Sequence, residues 1–297
     1  MDVLLWYRAY WLVVSSISLS LLLAALAVWL WAPSVTGTSE LGLGWIAVVW
    51  LSFLIPHAVL AGGLHLWFYR AKKQGTELKY DARGQISDNG TFTFRSQVFD
   101  NMFWSLVSGI SIVSVYVTLW YWAAGNGLAP LTTFAFSPFW FVAWFVILPA
   151  WGSFHFYWVH RMLHWPPLYQ RAHALHHRNV NVGPWSGISM HPIEHAIYFS
   201  SLLIHFVVPS SPMHVLFHVY TFTLSPVCSH SGFDGLMGGG EKRAQLGDFF
   251  HQLHHRYFEC NYGTVEMPWD KWFGTFHDGS EDATTRTRAF KKQMYTK

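Results

Sequence analysis

The 297-residue chain is 52% hydrophobic and 19% aromatic, and only 12% of its residues are charged. Soluble domains carry roughly 25% charged residues, so this composition excludes an ordinary soluble protein, and its hydrophobicity excludes a disordered one. The net charge of +3 is too small to indicate nucleic-acid binding, whereas 18 histidines against 19 lysines and arginines suggest metal chemistry at a membrane.

Three long runs without Asp, Glu, Lys or Arg predict membrane spans, because a spanning helix needs about 20 mainly apolar residues. Glycine and proline break the third run near residues 125–138. The first run has no signal-peptide cleavage site after it, so we interpret it as a retained anchor. The runs together predict four spans, at about residues 10–31, 44–66, 103–123 and 138–159.

A fourth uncharged run, 195–233, is interrupted by Pro209-Ser-Ser-Pro212, and each half is short for a full span. We expect a helical hairpin at about 196–228 that dips into the membrane. The connection 70–100 contains six basic residues, whereas the other two connections between spans contain none. Because cytoplasmic loops are enriched in Lys and Arg, four spans place every basic residue and both termini on the cytoplasmic side.

Histidines and charges become frequent after residue 160, where the long apolar runs end. The chain is therefore predicted to be an all-α integral membrane protein. Residues 1–159 would form the transmembrane helices, 160–278 a cytoplasmic histidine-rich cap that includes the hairpin, and 279–297 a polar tail. We interpret 235–243 (GLMGGGEKR) as a flexible link and expect the basic tail to be disordered or to lie on anionic headgroups.

Eight histidines after the fourth span fall into three clusters with helical spacing. The first cluster places two imidazoles at i and i+4, and the other two place three each at i, i+3 and i+4. Such residues share one face of a helix and can close on a single metal ion. The eight are His160, His164, His173, His176, His177, His251, His254 and His255.

Imidazole is a ligand suited to zinc, copper, iron and nickel. Eight clustered histidines exceed what one tetrahedral zinc requires, so they predict a dinuclear site in which each ion keeps open positions. Few carboxylates accompany them, which does not match a carboxylate-bridged di-iron bundle. A histidine-rich di-iron site, suited to activating O2 against an unactivated C–H bond, remains.

The motifs HxxxH, HxxHH, HPxE, HSG and HxxHH follow the apolar runs in that order, and Asn261-Tyr-Gly263 and WDKWFGT (269–275) close the series. Over about residues 100–277 this pattern resembles the fatty acid hydroxylase/sterol desaturase superfamily. The resemblance implies an oxidoreductase with two iron ions (Fe2+/Fe3+) that uses O2 to hydroxylate or desaturate a lipid from the bilayer. It also implies a separate electron donor, cytochrome b5-like or ferredoxin-like, with its reductase, because no cytochrome b5-like segment is fused to this chain.

The HPxE motif resembles the sterol-acting branches of the superfamily, so we expect a sterol-like substrate. The HSGFD form (230–234) resembles the sterol methyl oxidases and hydroxylases more than the C-5 desaturases. The enzyme would lie in the endoplasmic reticulum of a eukaryote or the inner membrane of a bacterium, with its active site on the cytoplasmic face.

The resemblance assigns the eight clustered histidines as ligands, with His230 as a ninth. His191, in the HPxE motif, would be either a ligand or a hydrogen-bond donor beside one. Carboxylates usually accept the second N–H of a metal-bound imidazole. The candidates for that position are Glu194, Asp234, Asp248 and Asp270. No catalytic residue beyond the metal ligands is expected.

Two other functions stay open. A zinc-dependent membrane hydrolase would need a general-base carboxylate inside a ligand box, as in HExxH, and none of the three boxes contains one. A metal-binding or metal-transport membrane protein would need ionisable residues within its spans, whereas the clustered histidines follow the fourth span. The remaining histidines of the apolar runs could bond a helix backbone or line the substrate path.

Overall fold

The computed structural model describes residues 15–295 and is mostly helical. Within that part of the chain, three helices are long and apolar enough to cross a membrane. Helix α2, Leu43–His65, continues through a π-helical turn to Arg70; helix α3 runs over Gln97–Gly125 with a π-helical stretch at Trp104–Gly109; helix α4 is Pro138–Leu163. The second, third and fourth predicted spans are therefore apolar helices, each slightly longer than expected.

Helix α1, Ser16–Leu30, occupies most of the first predicted span. It has 15 residues, which is short for a bilayer, and residues 10–14 of the prediction lie outside the described part. Its N-terminus is closed by Ser15 and Ser18, whose side chains each bond the backbone of the other.

The remaining elements are short. Helix α5 (166–177) joins the turns Pro166–Leu168 and Ala174–His177 through a π-helical segment, Tyr169–His173. The others are α6, Pro192–Phe199, which continues as a 3-10 helix over Ser200–Phe206; α7, Pro212–Ser229; α8, Phe249–Tyr257; α9, Trp269–Trp272; and α10, Glu281–Tyr295.

Helix α7 is the second half of the predicted hairpin and lies at the centre of the molecule. It begins directly after the Pro-Ser-Ser-Pro break, where the Ser211 hydroxyl accepts a hydrogen bond from the His214 backbone N–H. It packs against α1, α2 and α4, and side chains such as Phe217 and Tyr220 are buried. Outward faces of α2 and α4 keep large apolar side chains exposed, among them Val59 and Phe139, as membrane helices do.

The prediction of a flexible link at 235–243 was wrong. Strands β1, Gly235–Gly238, and β2, Glu241–Gln245, pair antiparallel. Gly239 and Gly240 between them have φ of 63° and 80°, and a two-residue hairpin turn of type I′ requires positive φ at both positions. The glycines that suggested flexibility thus form the turn, and the all-α class needs this two-stranded sheet added.

The polar tail, from residue 279, contains a helix where we had allowed for disorder. Helix α10 packs against α8, and its first turn buries Ala283. The Thr284 hydroxyl lies 3.2 Å from Nε2 of His277. The tail therefore covers the end of α8, which is one of the helices that carry clustered histidines.

Candidate metal centre

Nine buried histidines converge in two neighbouring groups within residues 15–295. In each group, one ring nitrogen of every histidine lies within 4.8 Å of one from each other member. Group one contains His160, His164, His173, His177 and His254; group two contains His176, His230, His251 and His255. The structure thus brings together the eight histidines of the three boxes and His230.

The double histidines explain why there are two groups. Consecutive residues on a helix point about 100° apart, so two adjacent imidazoles cannot face the same point. His176 and His177 on α5 consequently belong to different groups, as do His254 and His255 on α8. Helix α4 supplies the first box from its last turn, and His230 caps the C-terminus of α7.

In group one, five Nε2 atoms form a continuous series of close contacts. The distances between successive Nε2 atoms are 3.1 Å for His160–His173, 3.1 Å for His173–His164, 3.2 Å for His164–His177 and 3.0 Å for His177–His254. Two nitrogens bound at 2.1 Å to one ion, at right angles to each other, lie about 3.0 Å apart. The spacing of group one therefore fits imidazoles arranged around a single ion.

Group two has the same spacing around His230. Its Nε2 lies 3.1 Å from Nε2 of His251 and 3.1 Å from Nε2 of His255. The ring of His176 completes the group, 4.7 Å from the ring centroid of His255. The rings of His177 and His255 are 4.9 Å apart across the boundary, so ions in the two groups would be immediate neighbours.

The outward-facing nitrogens show that the inward-facing ones carry lone pairs. Nδ1 of His160, His254 and His230 donates to the carbonyl oxygens of Tyr262 (2.7 Å), Cys260 (2.6 Å) and Pro226 (2.9 Å). A carbonyl only accepts hydrogen bonds, and a neutral imidazole has a single N–H. Nε2 of these rings is therefore unprotonated in the neutral ring.

Unprotonated nitrogens at these distances are well placed to bind a cation between them. Nε2 of His230 has one in-plane lone pair but two nitrogen neighbours at 3.1 Å, and it cannot accept from both along that direction. His160 and His254 direct lone pairs into the same space, with ring centroids 4.3 Å apart. The donor set consequently fits two metal ions better than a hydrogen-bonded cluster.

Burial keeps these rings neutral, which is the form that binds metals. Desolvation lowers the pKa of His173 to about 3 and that of His176 to about 4. It also lowers the pKa values of His164, His177 and His255 well below the ordinary value, with neighbouring imidazoles adding to the effect. Protons therefore compete poorly with a metal ion for these sites.

Two buried carboxylates lie behind group one. Oε1 of Glu194 is 2.7 Å from Nδ1 of His173, and burial raises the pKa of Glu194 to about 8. Oε2 of Glu259 is 3.5 Å from Nδ1 of His164 and accepts a hydrogen bond from the Tyr262 hydroxyl at 2.7 Å. Glu194 is among the residues predicted from the sequence, whereas Glu259 is not, although the position of Glu259 four residues after His255 is a signal that could have found it.

The three aspartates named from the sequence contact no ring of either group. Asp270 accepts hydrogen bonds from the backbone N–H of Tyr262 and of Gly263, both at 2.8 Å, and so fixes the loop whose carbonyl holds His160. Asp248 caps α8 by accepting from the Phe250 backbone N–H. Asp234 pairs with Lys242 at 2.5 Å in the β-hairpin.

His191 is placed outside both groups. Its Nδ1 accepts a hydrogen bond from the Ile193 backbone N–H at 3.2 Å and caps α6, the helix that carries Glu194. His195 is also apart from the groups, with its ring between the Ser108 hydroxyl and the Ile188 carbonyl. Within the described residues, the HPxE motif thus contributes its glutamate to the centre and uses its first histidine as a helix cap.

A cavity of about 640 Å³ opens onto both groups. Five of the nine histidines line it, and apolar side chains of α4 and α7, including Phe156, Phe217 and Phe222, form part of its remaining wall. Gly152 on α4 allows the close approach of α7, since a Cβ there would lie 2.7 Å from the Phe222 ring. The volume falls within the range of roughly 300–1,000 Å³ found for small-molecule sites.

Comparisons with known proteins match the segment that contains this centre. Residues 145–275 match the family model described as fatty acid hydroxylase. The chain is similar to Delta(7)-sterol 5(6)-desaturases of Gibberella zeae (32% identical over 122 residues, 40% of this chain and 37% of that protein), Candida albicans (30% over 115 residues, 39% and 29%) and Saccharomyces cerevisiae (30% over 120 residues, 40% and 32%).

The chain spans about a third of the length of the curated relatives it matches. No solved structure matches it. These relatives are named as 5(6)-desaturases. The HSGFD form (230–234) instead resembles the sterol methyl oxidases and hydroxylases more than the C-5 desaturases.

Proposed function

We propose that the chain, whose residues 145–275 match the fatty acid hydroxylase family model, is an O2-dependent di-iron membrane oxidoreductase of the fatty acid hydroxylase/sterol desaturase superfamily. It hydroxylates or desaturates an unactivated C–H position of a lipid, with a sterol-like molecule as the substrate. Two bound iron ions supply the activation of O2 that attack on such a bond requires. The observation that carries the proposal is the pair of buried histidine groups whose unprotonated nitrogens converge at 3.0–3.2 Å.

Each group holds one ion in this proposal. All nine histidines of the two groups are ligands, and His191 is a helix cap. Carbonyl oxygens bonded to Nδ1 fix the tautomer of His160, His230 and His254, so that Nε2 faces the metal without a proton. The protein thus prepares the ligand geometry before a metal arrives.

The carboxylates position ligands. Glu194 holds the ring of His173, and Glu259, fixed by the Tyr262 hydroxyl, faces His164. Negative charge behind an imidazole increases its electron donation to a bound cation. A buried metal ion in turn stabilises the ionised form of each carboxylate, which burial alone disfavours.

The cavity supports a lipid substrate. Apolar walls from α4 and α7 accommodate a hydrophobic molecule, and the histidine end exposes it to both groups. The same walls exclude water from the reacting position. A sterol-like substrate is favoured by the relatives, whose names specify a Delta(7)-sterol. Whether the lipid is hydroxylated or desaturated depends on where the cavity places the C–H bond.

The proposal includes a membrane arrangement. The helices α2, α3 and α4 span the bilayer together with a first span containing α1, and the hairpin at about residues 196–228 is inserted beside them. The histidine groups then lie in a cap on the cytoplasmic face, where an electron-carrier protein and its reductase can reach it. The polar connection 70–100, with its six basic residues, lies on the same side.

Metal analysis of anaerobically purified protein tests the proposal. We expect two irons per chain, and we expect His176→Ala to lose the ion of group two together with the activity. The matched variant His191→Asn keeps a helix-capping side chain and is expected to retain both irons. A single zinc that survives His176→Ala would contradict the proposal. A second experiment compares lipid extracts of cells with and without the protein. It would identify a product that gained oxygen or lost two hydrogens.

A further inference from the structure

A second cavity, of about 800 Å³, is lined by a different set of residues. Its walls come from the end of α2, the connection that follows it and the start of α3, with Trp185 and Phe233 behind them. Within the described residues, it shares no lining residue with the cavity that reaches the histidine groups. It therefore needs an explanation other than access to the metal centre.

The rim of this cavity is cationic. Arg70, Lys72 and Lys79 line it, and the described lining residues include no aspartate or glutamate. Arg70 and Lys72 are exposed and form no ion pair with any residue in 15–295. Three cations around an opening without a carboxylate favour an anionic group between them.

The third cation is held toward the cavity wall. Nζ of Lys79 donates to the Arg83 carbonyl at 2.6 Å and lies 5.4 Å from the centre of the Tyr69 ring. The nearby carboxylate of Asp81 is already paired with the Arg83 guanidinium at 2.5 Å. Asp81 therefore forms its ion pair with Arg83, and Lys79 is in no ion pair within the described residues.

The inner wall is apolar. Phe68, Trp185 and Phe233 are buried there, and Met102 lies beside them. The Phe68 and Phe233 rings stack with centroids 4.2 Å apart. A ligand that used the whole cavity would therefore have an anionic end at the rim and a hydrocarbon part against these rings.

The position of the cavity identifies the source of such a ligand. Arg70 is the last residue of the apolar, membrane-length helix Leu43–Arg70, so the cationic rim lies where that helix leaves the hydrophobic layer. Phospholipid headgroups occupy this level, and basic side chains next to a membrane helix attract anionic ones.

We propose that this cavity is a binding site for an anionic phospholipid, with the phosphate between Arg70, Lys72 and Lys79 and an acyl chain against Phe68 and Met102. The site is separate from the substrate cavity, so its occupancy does not depend on iron chemistry. It borders the metal centre, because the Tyr69 hydroxyl on its wall donates to the carbonyl of Ser231, the residue after His230. Lipid in the cavity stabilises that segment.

Neighbouring lysines provide a matched test. Lys72 lines the cavity, whereas Lys73 carries the same charge on the same segment and does not. The full chain, in phosphatidylcholine nanodiscs, is titrated with phosphatidylglycerol, and binding is followed by native mass spectrometry. We expect Lys72→Gln to weaken binding about fivefold and Lys73→Gln to leave it nearly unchanged. Equal weakening by both variants would mean general surface attraction and would overturn the proposal.

Two further experiments distinguish a phospholipid from inorganic phosphate as the ligand of this cavity. Inorganic phosphate is expected to compete only weakly, because it gains nothing from the apolar wall. Met102→Trp, which fills that wall, is expected to reduce lipid binding and to leave any binding of inorganic phosphate intact. Binding of inorganic phosphate as tight as that of the lipid, or lipid binding unaffected by Met102→Trp, would refute the phospholipid assignment.

Discussion

Nδ1 of His173 and Oε1 of Glu194 meet at 2.7 Å in the interior, where each side chain is at most 2% exposed. The two residues lie on α5 and α6, so this hydrogen bond links the second histidine box to the HPxE motif. Because His173 also contacts His160 and His164 through Nε2, the carboxylate is positioned to orient the ring at the middle of group one.

Replacing that carboxylate should weaken metal binding. Glu194→Gln keeps the size of the side chain but removes the negative charge behind His173, and changes of this kind commonly cost 10- to 100-fold in metal affinity or activity. We expect iron retention against a chelator to fall by at least tenfold. Glu241→Gln, on the exposed strand β2, is the control, and equal iron retention in both variants would contradict the role of Glu194.

The pair formed by Glu259 and Tyr262 should act as a unit. Tyr262→Phe removes the hydroxyl that donates to Glu259 at 2.7 Å, and a buried acceptor left without its donor costs about 1–3 kcal/mol. The free energy of unfolding should fall accordingly in Tyr262→Phe and in Glu259→Gln. The double variant should cost less than the sum of the two, while strict additivity would show that the residues are uncoupled. Tyr257→Phe, close by in the chain, serves as the control.

The metal-free protein should lose stability as the pH falls. Burial holds the pKa of His173 near 3 and of His176 near 4 in the folded state, against an ordinary value of 6.5. Between those values the unfolded chain binds more protons, so acidification favours unfolding. We expect the unfolding midpoint of metal-free protein to decrease from pH 7.5 to pH 5. A midpoint that stays constant over this range would show that the rings are not held neutral by burial.

Bound metal should reduce the loss of stability on acidification in the upper part of the range from pH 7.5 to pH 5. Bound ions stabilise only the folded protein, and they occupy the nitrogens that protons would take. The metal-loaded protein should therefore unfold at a higher temperature than the metal-free protein at every pH where metal stays bound. Unfolding temperatures measured with and without a chelator at pH 7.5 and 6 test this directly.

The close approach of α4 and α7 should control substrate size. Gly152→Ala introduces a Cβ that would lie 2.7 Å from the Phe222 ring. Both residues line the cavity, so a ring displaced into it would reduce the space for substrate. We expect a higher KM for a bulky lipid with unchanged iron content. Gly63→Ala on α2, where a Cβ meets nothing within 4 Å, should leave KM unchanged, and a similar rise in both variants would exclude this explanation.

The long helices could be predicted from the sequence because the signal is local. Residues 41–69 and 101–160 contain no Asp, Glu, Lys or Arg, and α2, α3 and α4 follow those runs closely. The clustering of these histidines could be predicted because the spacing within each box is also local. The assignment of His176 and His177 to different groups needed the orientation of α5 relative to α4 and α8, which no spacing reports.

The contact between Glu259 and His164 depends on a backbone conformation that could not be predicted from the sequence. Phe258 has φ of 73° and Asn261 has φ of 52°, a left-handed conformation that is unusual for a phenylalanine. These two residues reverse the chain after α8 and bring the Glu259 carboxylate back toward a ring 95 positions earlier. Non-local contacts of this kind are decided by tertiary packing, and so the residue was missed.

Helix α7 is buried between α1, α2 and α4, yet it follows all three in the chain. During synthesis these three helices emerge before the element that fills the space between them, and their facing surfaces cannot close until residue 229 has been made. His251, His254 and His255 emerge later still. The two histidine groups can therefore be completed only after α8 has been made, and a chain that stops before α8 lacks three of the nine clustered histidines.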